Sequence, residues 1–194
     1  NQALDDYSRV IPCCQAFSLT GDALETAATR VMDVDEWMRT FAMMALCGIG
    51  DAYTFGNNHN LRLYPRPEDG KVLAFPWDWD FTFVQSTSAG LWGNMNLSKI
   101  ITRPNFQHLF YGHFSDICET TYNTTYMSRW VTHYGTLAGV SYSTFLNYIG
   151  QRRSYVLSQL PASVSFAITT QSGQNFTVAE SSAVLEGNGW IDVR

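Results

Sequence analysis

Lysine is nearly missing from this chain of 194 residues: Lys71 and Lys99 are the only two. Charged residues make up 15% of it, the formal net charge is −5, and there is no basic run. Nucleic acid, which is gripped through its phosphates by clustered Lys and Arg, is therefore not expected as a partner. No apolar stretch reaches the roughly 18 residues needed to span a bilayer. The four cysteines, Cys13, Cys14, Cys47 and Cys118, lack any Cys-x-x-Cys spacing, which speaks against a thiolate metal site. Cys13 and Cys14 read as two adjacent thiols rather than a bridge, and Cys47 as a buried thiol on an apolar helix face. The opening NQALDDYSRV has no initiator Met and no targeting pattern. It reads as the interior of a longer polypeptide. There is no internal repeat and no low-complexity tract.

What is present is a globular composition, 45% apolar and 14% aromatic, enough for one domain with a core or for one domain plus part of a second. Plentiful Ser, Thr, Asn and Tyr beside scarce Lys lean towards a secreted protein. Sequons stand at Asn96, Asn123 and Asn175, although such triplets arise easily by chance in a polar-rich chain.

Residues 3–30 carry mixed helical signals, with Thr20-Gly21-Asp22 opening a short helix over Ala23–Thr29. Asp33 and Glu36 read as a capping box. Val34, Trp37, Met38, Phe41, Ala42, Ala45 and Leu46 then follow the helical i, i+3, i+4, i+7 pattern, predicting a helix from 34 to about 47 that ends at Gly48 and Gly50. Leu61–Tyr64 and Lys71–Phe75 read as two strands joined by a turn at Pro65, Pro67 and Asp69-Gly70. A loop is expected over 85–99. Helices follow: one from Pro104 with Phe106, Leu109, Phe110, Phe114 and Ile117 on one face, one through Met127, Trp130, Val131 and Tyr134, and one from Ser143 to Leu160. Trp37, Trp130 and Phe106, Phe110 and Phe114 are expected in the core, and His108, His113 and His133 in structural roles. From Pro161 the period becomes two. Strands are expected at Val164–Thr169 and Asn175–Ala179 around Ser172-Gly173, and at Ala183–Glu186 and Trp190–Val193 around Gly187-Asn188-Gly189. A boundary near 161 separates residues 1–160 from a β-rich module that begins at 161–194.

Phosphoryl transfer asks a protein for a carboxylate to orient the attacking hydroxyl and for oxygen ligands that hold Mg²⁺ against the phosphates. Protein kinases place these groups in a set chain order: an Asp, a metal-binding Asn, a short hairpin, then a second metal-binding Asp. The same order runs here through Asp51, Asn60, the hairpin at 61–75 and Asp78. Asp80 lies two residues on, and the two would point the same way if that segment is extended.

The string GDAYTFGNNHNLRLYPRPEDGKVLAFPWDWDFTF resembles the signature of the CotH (spore coat protein H-like) kinase family. It has an Asp near a helix end, a His-Asn pair entering a strand, a Gly-containing turn and a Pro-Trp-Asp-x-Asp motif. Asp33-Val34-Asp35, the run from Pro104-Asn105-Phe106 through Tyr111, and Arg152-Arg153 are similar too, so the likeness covers roughly residues 22–160. It implies an α+β fold: a mostly helical kinase-like C-lobe with a short β-hairpin carrying the site, followed here by the β-rich tail. It implies Asp51 as the catalytic Asp, Asn60 and Asp78 as ligands of Mg²⁺ in a Mg·ATP complex, and Asp80 as support for the metal or the loop. His59 would position the loop and Trp77 would pack beneath it. The implied activity is atypical, ATP-dependent phosphorylation of protein Ser/Thr, in a secreted, cell-surface or spore-coat setting.

Two departures qualify that implication. The kinase Asn follows its Asp by about five residues, whereas position 56 is Gly and Asn60 lies nine residues after Asp51. Asn57 or Asn58 could then compete with Asn60 for the metal. No Gly-rich phosphate loop and no Lys precede Asp51, so the phosphate-gripping N-terminal lobe is expected upstream in the same polypeptide, and the chain alone should bind ATP poorly and transfer nothing. Two other functions stay open: a non-catalytic, pseudokinase-like binding or scaffold module of a secreted multi-domain protein, which the longer 52–59 loop favours, and hydrolysis by paired carboxylates such as Asp51 and Asp78.

Overall fold

The computed structural model describes residues 6–57, 59–93 and 95–192, the side chain of Met95 excepted. Seven helices and two small antiparallel hairpins make up its regular structure. The fold is α+β and mostly helical, as expected.

The central element is α3 (Val34–Cys47), preceded by α1 (Val10–Ala16) and α2 (Gly21–Val31). Nine of its fourteen residues are buried, among them Trp37, Met38, Phe41, Met44 and Leu46. Each large apolar side chain so buried contributes about 1.5–3 kcal/mol. Its N-cap is Asp33, whose Oδ1 accepts from the Glu36 N–H at 3.3 Å. The return half of the capping box does not form. The Asp33 N–H donates to the Val72 carbonyl at 3.2 Å, and the Glu36 carboxylate instead accepts from the Ala74 N–H at 2.9 Å. The Trp37 indole N–H also donates to the Val72 carbonyl, at 2.8 Å. These bonds seat the first hairpin, β1 (Leu61–Pro65) and β2 (Val72–Pro76), on α3. The hairpin runs in the register Leu61↔Pro76, Leu63↔Ala74, Pro65↔Val72, and Val72 and Ala74 face the core.

The loop expected at 85–99 gives way at Met95 to a helix, α4 (Met95–Ile101). Leu97, Ile100 and Ile101 are fully buried, at i, i+3, i+4 spacing, and that burial outweighs the polar character of the flanking sequence. Next come α5 (Pro104–Thr120), with Pro in its first turn, α6 (Thr124–Ala138) and α7 (Ser143–Ser158). Phe110 and Phe114 pack edge to face on α5 at 4.5 Å between centroids. Trp37 and Phe106 join the core as expected, but Trp130 is only half-buried, stacked on Tyr134. Helix α6 packs mainly on α7, so its aromatic stripe finds no third layer.

Beyond 161 the expected local hairpins do not form. β3 (Ala167–Ile168) pairs instead with β4 (Gly187–Asn188), so two residues expected in a turn become strand. The alternating apolar side chains meet no opposing layer: Phe166 is 69% and Val184 84% exposed. Val193, expected in the last strand, lies outside the described residues.

All four cysteines are free thiols. Burial pushes Cys13, Cys47 and Cys118 up to about 12, so they are inert thiols of the core. Among the described residues no helix is long and apolar enough to cross a membrane.

Candidate functional site

Helix α3 ends at Gly48, whose left-handed φ of 55° reverses the chain. The helix leaves carbonyls without intrahelical donors, and the segment after β2 supplies the donors. The Phe83 N–H bonds the Cys47 carbonyl at 2.8 Å, and the N–H groups of Val84 and Gln85 both reach the Gly48 carbonyl at 3.2 Å. The Gly50 N–H donates to the Phe81 carbonyl at 2.9 Å. A Cβ at Gly50 would strike the Phe81 ring and Val84, so this close approach requires glycine. Together these bonds fold the 77–85 segment back onto the end of α3, beside the residue where Asp51 opens its loop.

Asp51 is half-buried and its Oδ1 is buried with no hydrogen-bond partner. Two further oxygens share that condition: Thr54 Oγ1, in the tight turn Tyr53–Phe55, and the Tyr148 hydroxyl, which lies where a Cβ on Gly48 would fall. Buried polar atoms are nearly always satisfied. Among the described residues, every exception of this kind borders the stretch from Gly48 to Phe55.

Asn60 closes the loop in a left-handed conformation, φ 58°. Its side-chain Nδ2 donates to the Asp51 backbone carbonyl at 3.1 Å. Its own carbonyl accepts from the Trp77 N–H at 3.0 Å, one step beyond the Leu61↔Pro76 pair. Asp78 follows directly, also left-handed, φ 55°. Non-glycine residues in this region are uncommon and cost strain, and here two of them are expected site residues.

The structure thus brings Asp51, Asn60 and the Asp78 segment together. Asp80 is exposed at the next turn, and the left-handed step at Asp78 breaks the extended path that would have aimed the two acids the same way. Trp77 does not pack beneath the loop. It is 52% exposed, with the Arg62 guanidinium carbon 3.5 Å from its ring centroid; Trp79 packs against the core instead. His59 and Asn57 are exposed, and Asn58 lies outside the described residues. Among the structural histidines, His113 is buried, with Nε2 2.8 Å from Asp35 Oδ1.

Arg152 had entered only as a matching residue, without a role. It is fully buried. Its Nε and Nη2 donate to the Ala45 carbonyl at 3.1 and 2.9 Å, and Nη1 donates to the carbonyls of Thr87 and Ala89 at 3.2 and 2.6 Å. It therefore binds the 85–91 loop to the negative end of the α3 dipole. Its place was readable: Ile149, Arg152 and Val156 share one helical stripe, and all three are buried.

The chemistry of this donor set suits a hard cation. Asp78 is exposed and offers a carboxylate. Asn60 spends its amide N–H₂ on Asp51 and so keeps its Oδ1 for another partner. Among the described residues no three His, Cys, Asp or Glu side chains converge on a metal position. The residues present could supply a partial oxygen shell, which is how Mg²⁺ is held when phosphates complete its octahedron.

A comparison with curated proteins gives no match. The chain matches the family described as CotH kinase protein over residues 1–145, a stretch that contains Asp51, Asn60, Asp78 and Asp80, and it therefore belongs to the CotH kinase family.

Proposed function

We propose that this chain forms the metal and carboxylate side of an ATP-dependent protein Ser/Thr phosphotransfer site. The carrying observation is the buried, unpartnered Asp51 Oδ1, on a loop tied through Asn60 to the backbone that bears Asp78. A buried carboxylate oxygen without a donor costs about 1–3 kcal/mol. Asp51 as a whole is only half-buried, so a substrate hydroxyl that reaches its carboxylate would offset that cost, whereas a purely scaffolding role leaves it without a return.

In this reading Asp51 accepts a hydrogen bond from the substrate hydroxyl and takes its proton as that oxygen bonds to the γ-phosphorus; the β–γ bridging P–O bond breaks and ADP leaves. Asn60, through Oδ1, and Asp78 would hold Mg²⁺, which when bound neutralises charge on the phosphates. Asp80 supports the loop or the metal from the exposed side. Residues 1–160 act as the lobe that carries these groups, the β tail from 161 begins a separate module, and an upstream lobe of the same polypeptide grips the nucleotide. The test is Mg²⁺-dependent ATP binding by the full-length protein, measured by calorimetry. Asp78→Ala should abolish it, and unchanged binding would overturn the metal assignment.

A further inference from the structure

We propose that Arg62 is the phosphate-contacting cation of this site, an inference that rests on the phosphotransfer reading above. Charge on transferring phosphoryl groups is stabilised by positively charged partners besides the metal. Arg62 stands in β1 two residues after Asn60. Its guanidinium lies on Trp77, the residue before Asp78. It is thus adjacent in the fold to both proposed metal ligands.

The state of the side chain supports the role. Arg62 is exposed and takes part in none of the salt bridges among the described residues. A contact of the guanidinium carbon with an aromatic ring consumes none of its five N–H donors. The ring orients the planar fork and leaves those donors for a bidentate oxyanion such as phosphate. Several other cations are committed elsewhere. Arg66, at the far end of the hairpin, pairs with Asp33 and Asp69. Arg152 is buried on backbone carbonyls. Arg153 and Lys99 donate to the carbonyls of Cys118 and Phe17.

The experiment is calorimetric titration of the full-length protein with adenosine, ADP and ATP in the presence of Mg²⁺, for wild type, Arg62→Ala, Arg62→Gln and Asp78→Ala. Arg62→Gln keeps a planar polar group on a shorter stem and removes the charge and the guanidinium fork. Both Arg62 variants should weaken ATP binding by roughly tenfold to a hundredfold, the range of lost charge-assisted hydrogen bonds, and leave adenosine binding unchanged. ATP affinity unchanged in the Gln variant overturns the proposal, as does equal weakening of ATP and adenosine, which would mark Arg62 as a support for Trp77. Asp78→Ala separates the two readings. If it abolishes Mg·ATP binding while the Arg62 variants bind normally, the phosphotransfer site stands and the Arg62 role falls. If wild type does not bind Mg·ATP, or Asp78→Ala binds as wild type does, the site assignment falls and Arg62 with it.

Discussion

The side-chain amide of Asn60 donates to the backbone carbonyl of Asp51 at 3.1 Å, across the whole intervening loop. Asn60 lies nine positions after Asp51, so the bond converts a long, turn-rich excursion into a closed ring. The next bond, from the Trp77 N–H to the Asn60 carbonyl, fastens that ring to the strand that delivers Asp78. Asn60 is therefore the joint of the site, whatever it does for a metal.

Replacing that joint should separate its two contributions. Asn60→Gly keeps the left-handed backbone and loses the hydrogen bond, at a cost of about 1 kcal/mol. Asn60→Ala loses the bond and adds about 1–2 kcal/mol of backbone strain. Urea denaturation should rank stability as wild type, then Gly, then Ala. An Ala variant as stable as the Gly variant would show that the positive φ carries no strain.

Asp51 should trade stability against activity. Asp51→Asn removes a charge whose Oδ1 is buried without a partner, and the variant should be at least as stable as wild type. Phosphotransfer by the full-length protein should fall by about 10²–10⁴, the usual worth of a positioned general base. Thermal unfolding paired with a phosphate-transfer assay reads both, and a variant that loses stability and keeps activity would reverse the assignment.

Arg152 should be among the least replaceable side chains of the fold. Arg152→Ala strands the carbonyls of Ala45, Thr87 and Ala89 and opens a cavity, for a loss of more than about 3 kcal/mol. Arg152→Lys should rescue little, since one ammonium cannot reproduce the fork that reaches the Ala45 carbonyl on one side and the 87–89 loop on the other. Urea midpoints of both variants check this, and a Lys variant near wild type would contradict it.

Two carboxylates should shape the pH dependence of stability in opposite directions. Burial raises Glu36 above its ordinary 4.5, against the hydrogen bond from Ala74. The folded chain then holds a proton that the unfolded chain releases, so this group's contribution falls as pH rises from 4.5 through the folded value. Glu36→Gln should remove that decline. Asp69 is held down to about 2 by its hydrogen bond from Arg66. Its contribution is present above the ordinary 3.8 and is lost as pH falls from there towards 2. Asp69→Asn should flatten that acid limb. Urea midpoints taken from pH 2 upward check both signs.

The sequence alone determined the helical framework and the order of the site. The capping Asp33, the apolar stripe from Val34 to Leu46 and the terminating Gly48 are local signals, and α3 spans Val34–Cys47 as they require. The Asp, Asn, hairpin, Asp order was likewise readable, because chain order and turn chemistry are properties of the sequence. Tertiary structure decided what those residues touch. The Glu36 carboxylate turned to Ala74 because β2 lay within reach. Leu97, Ile100 and Ile101 became a helix because the core could bury them, and the tail failed to form its local hairpins because no layer opposed it. The left-handed turns at Asn60 and Asp78, the unpartnered Asp51 oxygen and the buried Arg152 fork depend on segments far apart in the chain meeting at the end of α3. Periodicity within one segment can put a residue such as Arg152 on the buried face but does not say what it meets there, since that is set by which groups lack a partner once the core has closed.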